Sequence, residues 1–254
     1  MTLDRAPSIF SRDALLGRRV LVIGAGGLGC PALLALADSG ATLVIADDDL
    51  VDESNLHRQI LFDEAAIGAH KLAAAREALV RRGVAESRIE LTGSRFLPDN
   101  ARMLAAGVDL VIEGSDNFAT KFLAADACLL ERRPIVHGAA VRWVFTAWCV
   151  APEGRPCYRC LFEDVPAAGA AESCAEAGVL GPVVGLAGAF LAELALEVLL
   201  GADAPFGRIH TYDGRTDVFR DVEVRARESC ALCGPTRSIS EIEETRYTAP
   251  SCAA

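Results

Sequence analysis

The sequence predicts an α/β protein with a doubly wound, mainly parallel sheet that is extended by antiparallel strands. Three observations indicate this fold class. Apolar β-rich runs alternate with helix-compatible runs over the first 140 residues, a glycine-rich turn joins the first such pair, and the alternation stops after about residue 140. Strands that alternate with helices favour parallel pairing, because each crossover returns the chain to the same edge of the sheet.

The first half of the chain contains the alternating elements. A strand, a helix and a second strand fill residues 19–47, which is about the length of one right-handed βαβ unit. Apolar runs indicate the strands, and amphipathic runs that close at glycine or a polar residue indicate the helices. The predicted strands are 19–24, 41–47, 88–92, 109–114 and 134–138, and the predicted helices are 28–39, 70–82 and 117–131.

The second half adds strands without intervening helices. Residues 142–150 form a predicted strand, and 208–213 with 217–224 form a predicted hairpin around Gly214. The apolar run 178–200 carries Glu193 and Glu197 on one helical face, which favours a buried helix over a membrane span. An Ala/Gly-rich stretch from 163 to 181 predicts a mobile loop, and the polar segment 235–254 predicts a frayed tail.

Composition restricts the class of protein further. The 254 residues are 52% hydrophobic, which excludes a disordered chain. Lys and Arg number 25 against 35 Asp and Glu, giving a net charge of −10, and no basic stripe is visible, so a nucleic-acid or anionic membrane surface is disfavoured. The first 19 residues lack the apolar run of a secretory signal, and nine cysteines is an odd number. Both features predict reduced thiols and a cytoplasmic protein.

The glycine-rich turn is the first candidate binding site. Gly24, Gly26, Gly27 and Gly29 fit the pattern G-x-G-x-x-G between a strand and a helix, where backbone N–H groups can approach phosphate oxygens. Asp47 ends the next strand, where an acid can bind the hydroxyl pair of a ribose. The pattern predicts a Rossmann-like nucleotide site, and an NAD-dependent dehydrogenase would show the same features.

Polar residues that follow the turn favour a triphosphate. Arg58 offers a planar fork for phosphate, which a dehydrogenase does not need because its pyrophosphate already lies on the glycine turn. Lys71 begins a predicted helix and is otherwise a surface lysine. Asp116 follows a strand end and suits Mg²⁺ on phosphates, or it caps the next helix. The candidate residues of this group are Ser54, Asn55, Arg58, Gln59, Lys71, Asp116 and Asn117.

The cysteines suggest a metal site. Cys157 and Cys160, like Cys230 and Cys233, are separated by two residues, and four thiolates arranged tetrahedrally bind a structural Zn²⁺. A redox-active pair is the alternative, which two such pairs in a cytosolic chain disfavour. Cys174 lies alone in the predicted loop, where it is either an accessible nucleophile or an ordinary cysteine.

Together these motifs resemble the MoeB/ThiF/HesA family, relatives of the ubiquitin-activating enzymes. The resemblance runs from about residue 19 to 234 and rests on motifs in the family order. These are Gly24-Ala-Gly-Gly-Leu-Gly29, Ser54-Asn-Leu-His-Arg-Gln59, Lys71, Ser115-Asp-Asn117, Pro156-Cys-Tyr-Arg-Cys160, Cys174-Ala-Glu-Ala-Gly178 and Cys230-Ala-Leu-Cys-Gly234.

The resemblance implies ATP-dependent adenylation of the C-terminal glycine of a ubiquitin-fold sulfur carrier that ends in Gly-Gly, in molybdopterin, thiamine or related thio-cofactor synthesis. It implies that Asp47 binds ribose and that Gly27, Ser54 and Asn55 line the nucleotide site. Arg58, Gln59 and Lys71 would stabilise the phosphates, Asp116 would hold Mg²⁺, and the four paired cysteines would hold Zn²⁺. It also implies a homodimer, with the apolar helix 183–200 at the interface.

The chain departs from the family at several positions. Its N-terminal segment is short, so Arg5 or Arg12 is the candidate for an arginine that reaches the partner's ATP. Phe145-Thr146 replaces the usual Gly-Gln, and Cys174 matches a position with different roles among relatives. No sulfurtransferase domain follows, so a separate protein is expected to donate sulfur. An NAD-dependent oxidoreductase and a non-catalytic, zinc-stabilised binding module for nucleotide or a partner remain the alternatives.

A single domain over residues 1–254 is the expected organisation. Within it, residues 19–140 form a nucleotide-binding half. Residues 141–234 supply the antiparallel strands, the zinc site and the carrier-binding half, and 235–254 is the tail.

Overall fold

The computed structural model describes residues 13–167, 177–201 and 206–248, and its centre is one eight-stranded sheet. The strands lie in the order β3-β2-β1-β4-β5-β6-β7-β8. Their bounds are β1 Arg19–Ile23, β2 Thr42–Ala46, β3 Ile89–Leu91, β4 Leu110–Glu113, β5 Ile135–Val141, β6 Val144–Val150, β7 Arg208–Asp213 and β8 Val218–Glu223.

The first five strands are parallel and the last three are antiparallel, as the sequence predicts. β1 pairs with β2 on one side and with β4 on the other. The chain therefore reverses its direction of winding between β1 and β4. The loops that follow these two strands diverge, and this divergence opens a crevice at their carboxyl ends.

Within the described residues, six α-helices cover the two faces of the sheet. They are α1 Gly29–Leu36, α2 Lys71–Arg81, α3 Ala101–Ala106, α4 Phe118–Leu130, α5 Tyr158–Leu161 and α6 Gly181–Leu200. Residues of α1, α2 and α6 belong to one apolar core, and residues of α3, α4 and α5 belong to the core on the other face. Helices α3 and α5 are short and were not predicted, because one or two turns carry too little periodicity to be recognised.

Helix α6 is the described helix that is long and apolar enough, by length and composition, to cross a membrane. It packs against α1, β5 and β6, and Leu191 is fully buried there. This packing agrees with the predicted core helix. Leu186 and Leu200 lie on its exposed side.

The departure from the family pattern at Phe145-Thr146 falls within strand β6. Phe145 and Thr146 point to opposite faces of β6. Phe145 is buried against Phe190 and Tyr212, with ring centroids 6.0 and 5.6 Å away, so the core on the α6 side accommodates this departure from the family pattern.

Residues 235–248 are not the frayed tail that the sequence predicts, because Ile239 and Tyr247 are buried in the core on the α4 side.

Candidate functional site

A single cavity of about 730 Å³ gathers most of the predicted site residues. It opens at the carboxyl ends of β1 and β4, where the fold creates its crevice. Its lining includes Gly24, Gly26, Gly27, Asp47, Arg58, Gln59, Lys71, Asp116 and Asn117. Residues from five separate loops and helix ends therefore face one space, although up to 93 positions separate them in the chain (117 − 24).

The glycine turn forms one end of the cavity. Gly24 has a φ of +89°, a conformation that side chains disfavour, and a Cβ on Gly29 would lie 1.8 Å from the carbonyl oxygen of Gly24. Gly29 is therefore required for close packing of α1 on the turn, and it does not line the cavity. No side chain caps the start of α1. The N–H of Cys30 donates to the carbonyl oxygen of Gly26 at 2.9 Å and Pro31 has no N–H, so the N–H groups suited to an anion are those of the turn itself, residues 26–28.

Asp47 connects the turn to the end of β2. Its Oδ2 accepts a hydrogen bond from the N–H of Ala25 at 2.7 Å, and its Oδ1 accepts one from the N–H of Asp49 at 2.8 Å. These bonds fix the carboxylate at the cavity wall. Because each carboxylate oxygen has a further lone pair, Asp47 can still accept a hydroxyl group of a ribose.

Two cations project into the cavity from the segment after β2. Arg58 Nη2 donates to Asn55 Oδ1, and Arg58 Nη1 donates to the carbonyl oxygen of Ser54 at 3.3 Å. Lys71 is 5% exposed, and its Nζ lies 2.7 Å from Asp49 Oδ2. Neither Ser54 nor Asn55 lines the cavity itself. Asn55 acts on the site by orienting Arg58, since its amide oxygen faces the guanidinium.

The sequence left two roles open for Asp116, binding Mg²⁺ or capping α4, and the turn before α4 shows that another residue is the cap. Asn117 is the helix cap, because its Oδ1 accepts the N–H of Thr120 at 2.8 Å. Asp116 is exposed at the cavity and is not occupied by capping. Its carboxylate is therefore free to bind a hard cation such as Mg²⁺.

A buried charged cluster beneath this turn was not predicted. Glu113, the last residue of β4, is fully buried, and its Oε2 lies 2.8 Å from Lys121 Nζ and 3.3 Å from His137 Nδ1. Its Oε1 accepts the backbone N–H of Ser115 at 2.8 Å, so the carboxylate holds the turn that carries Asp116. Sequence alone does not reveal the cluster, because each residue looks like an isolated polar position in an apolar run.

The charge state of the cluster follows from its contacts. Burial would raise the pKa of Glu113, but the neighbouring Lys121 and the hydrogen bond from His137 outweigh it and lower that pKa to about 2. Burial lowers the pKa of His137 below its ordinary value, although Glu113 opposes the shift. At neutral pH the cluster therefore holds an ionised Glu113 and a neutral His137.

The Glu113 pKa predicts a pH-dependent stability. A carboxyl group whose pKa falls from 4.5 to about 2 on folding contributes roughly 3 kcal/mol above pH 4.5. This contribution is lost as the pH decreases towards 2. We expect Glu113→Gln to reduce the free energy of unfolding at pH 7 and the gap from the parent protein to narrow below about pH 4.5. Urea unfolding from pH 7 to 3.5 measures this, with the exposed Glu77→Gln as control. Parallel curves for parent and Glu113→Gln would contradict it.

The four paired cysteines meet where the first turn and N-cap of α5 approach the segment after β8. Their sulfur atoms lie within 4.8 Å of one another. The Cys157–Cys230 and Cys160–Cys233 sulfur pairs are 3.4 and 3.3 Å apart. A tetrahedral Zn²⁺ with Zn–S bonds of about 2.3 Å needs sulfurs about 3.8 Å apart, so the donor set fits this ion. The backbone N–H of Arg227 donates to Cys160 Sγ at 3.4 Å, which suits a thiolate ligand.

Three candidate residues fall outside the described part of the chain. Cys174 lies in residues 168–176, and Arg5 and Arg12 precede residue 13. Their predicted roles therefore remain predictions.

The fold and the cavity define a nucleotide-binding enzyme in which Arg58 and Lys71 line the same cavity as the glycine turn. The chain belongs to the ThiF family, whose model matches residues 8–232.

Curated relatives extend over most of the chain. SAMP-activating enzyme E1 of Haloferax volcanii is 39% identical over 241 residues, which are 94% of this chain and 88% of that protein. Adenylyltransferase and sulfurtransferase MOCS3 of Dictyostelium discoideum is 35% identical over 90% of this chain. This chain spans 55% of the length of that MOCS3.

Solved structures show the same fold. The crystal structure of E. coli MccB with ATP has a TM-score of 0.73, covering 88% of this chain and 68% of that one at 18% identity. A complex of MccB with MccA-N7isoASN has a TM-score of 0.75 at 19% identity.

Family and relatives identify an ATP-using adenylyltransferase of the MoeB/ThiF type. They disfavour both alternatives, an NAD-dependent oxidoreductase and a non-catalytic binding module.

Proposed function

We propose that this enzyme activates the C-terminal glycine of a ubiquitin-fold sulfur carrier that ends in Gly-Gly. The carboxylate oxygen of that glycine attacks the α-phosphorus of ATP. The bond between the α-phosphorus and the bridging oxygen breaks, and the electron pair leaves with pyrophosphate. The products are an acyl-adenylate and pyrophosphate. Supporting this proposal, one relative is named for activating SAMP and another is named as an adenylyltransferase and sulfurtransferase.

The observation that carries the proposal is the extent of the cavity. From the phosphate end it continues across β5 and β6, past Ala139 and Thr146, to a wall formed by residues 161–167. We call the part of the cavity beside Ala139, Thr146 and residues 161–167 its second arm. A nucleotide on the glycine turn would leave this second arm free. An extended chain without bulky side chains suits such an arm, because two glycines need little width beside the reacting carboxylate.

The chain's own residues would act on the charge that develops during the reaction. Negative charge increases on the α-phosphoryl oxygens and on the departing pyrophosphate. Arg58 and Lys71 are fixed cations in the cavity, so they stabilise that charge without a large reorganisation. Asp116 would hold Mg²⁺, which supplies further positive charge on the phosphates. Asp47 would orient the ribose and Gln59 would contribute to the phosphate end.

Several further properties are part of the proposal. Zn²⁺ on the four paired cysteines would have a structural role, and residues 141–234 would provide the carrier-binding half. The enzyme would be a cytoplasmic homodimer in which the exposed side of α6 contributes to the interface, and sedimentation velocity would measure its mass. Sulfur would come from a separate donor protein, and the pathway would be the synthesis of molybdopterin, thiamine or a related thio-cofactor.

The test is ATP–pyrophosphate exchange by the zinc-loaded protein with each glycine-terminated ubiquitin-fold protein of the same genome. We expect exchange with at least one of them and none when its last glycine is removed. ATP binding without exchange in the presence of every carrier would contradict the proposal and would favour the non-catalytic alternative. The responding carrier would also identify the pathway.

A further inference from the structure

Arg159 is a buried arginine between the two cysteines of the first pair. Its side chain is 2% exposed, and it faces the fully buried Asp126 of α4. Nε lies 2.8 Å from Asp126 Oδ1 and Nη2 lies 2.9 Å from Asp126 Oδ2, so the ion pair is bidentate. The guanidinium also lies over the ring of Phe122, 4.8 Å from its centroid. These contacts fix the plane of the guanidinium relative to α4.

The third nitrogen of the same guanidinium contacts a different segment. Nη1 donates to the carbonyl oxygen of Glu163 at 3.0 Å and lies 3.4 Å from Asp164 Oδ1. Asp164 Oδ1 in turn accepts the backbone N–H of Val165 at 2.9 Å. One planar group therefore connects α4 to residues 161–167.

Residues 161–167 form the wall of the cavity arm described above. Leu161, Phe162, Val165, Pro166 and Ala167 line the cavity. The ring of Phe162 is 5.0 Å from that of Tyr158, which is itself 6.0 Å from the ring of Trp148 on β6. The wall thus lies over β6, two strands away from β4 and the turn that carries Asp116.

We propose that Arg159 is a positioning residue that sets the cavity wall 161–167 for the C-terminal tail of the carrier. This inference rests on the proposed function. In this role Arg159 contacts neither the nucleotide nor the tail. It holds the backbone at Glu163, and Asp126 fixes the plane of the Arg159 guanidinium. It therefore affects the arm for the carrier rather than the phosphate end.

Arginine is suited to this role in a way that lysine is not. Its planar fork presents donors in fixed directions, so it binds Asp126 with two nitrogens while a third reaches Glu163. A lysine has a single ammonium group, which can neutralise Asp126 but cannot maintain all three contacts. Arg159→Lys therefore keeps the buried charge balanced and loosens the wall.

The main experiment compares Arg159→Lys with the parent protein in ATP–pyrophosphate exchange, using the carrier that supports exchange. We expect about a tenfold higher KM for the carrier, the loss associated with one charge-assisted hydrogen bond. KM for ATP and kcat should stay within about twofold of the parent values. Hydrogen exchange at the amides of residues 162–167 should become faster, and zinc content should stay unchanged.

Two exposed substitutions complete the test. Asp164→Ala removes only the far contact at a side chain that is 70% exposed, so it should raise the KM for the carrier in the same direction by a smaller factor. Glu153→Gln, at an exposed glutamate outside the wall, is the control, since the carboxylate of Glu163 itself pairs with Arg227. If Arg159→Lys does not fold, Asp164→Ala provides the readout.

Equal increases in both KM values would overturn the inference, as would unchanged amide exchange at 162–167 in both variants. The amide measurement needs no carrier. Failure of the inference is therefore distinguishable from failure of the proposed function, in which the parent itself would show no exchange.

Discussion

Replacing Arg58 by alanine is expected to lower the rate of carrier-dependent ATP–pyrophosphate exchange by about 10²–10³-fold, the usual cost of removing one preorganised group that stabilises transition-state charge. Arg58 is directed into the cavity by Asn55 and the carbonyl oxygen of Ser54, so its cation is in place before the substrates bind. The loss should appear mainly in kcat, because the charge it neutralises increases only as pyrophosphate departs.

Matched variants separate this effect from a general loss of charge. Arg58→Lys keeps the charge without the planar fork and should give an intermediate rate. Arg81→Ala removes an exposed arginine of α2 that pairs with Glu77, and exchange should be unaffected. Asp116→Ala should also lose exchange, and it should do so by weakening the Mg²⁺ site. Full activity of Arg58→Ala would exclude the assigned role of this arginine.

Replacing Cys230 by alanine is expected to remove the bound zinc and to lower the unfolding midpoint by about 10–20 °C. The two cysteine pairs come from distant segments, with 69 residues between Cys160 and Cys230 (229 − 160), so the metal would close a long loop. A loss of about 5 kcal/mol corresponds to this shift, at roughly 2–4 °C per kcal/mol for a chain of this size. Calorimetry with metal analysis would measure both quantities.

The matched control for the zinc prediction is Cys128→Ala. This cysteine is also fully buried, but it is not part of the four-cysteine cluster. We expect it to keep the metal and to lose about 1 kcal/mol through the small cavity it leaves. A parent protein without zinc, or a Cys230→Ala variant as stable as Cys128→Ala, would show that the four cysteines are not a structural metal site.

Local patterns in the sequence were sufficient for most of the fold. Strand β7 occurs at the predicted residues, and β1, β2, β4 and α4 begin and end within three residues of the predicted bounds. These elements carry their own periodicity and their own boundary residues, such as the cap Asn117. Short α3 and α5 carry neither, and the packing of residues 235–248 depends on a partner surface on α4 that composition does not reveal.

The candidate site, like the fold, was predictable from the sequence only in part. The glycine turn, Asp47, Arg58, Lys71, Asp116 and the paired cysteines were recognisable because each chemistry needs particular residue types at short spacing. Ser54 and Asn55 were predicted to line the nucleotide site. The structure places them behind Arg58, since a short helical turn directs the Asn55 oxygen to the guanidinium.

The sequence by itself therefore determined the fold class, most of the residues that gather in the cavity and the paired spacing of the clustered cysteines, because these features are encoded over a few to about 30 neighbouring residues. Only the tertiary structure decided which charges are buried together. Glu113 meets His137 through the pairing of β4 with β5, and Asp126 meets Arg159 across 33 positions. Such pairs form because a buried charge needs a partner, and which partner is within reach depends on strand register and helix packing.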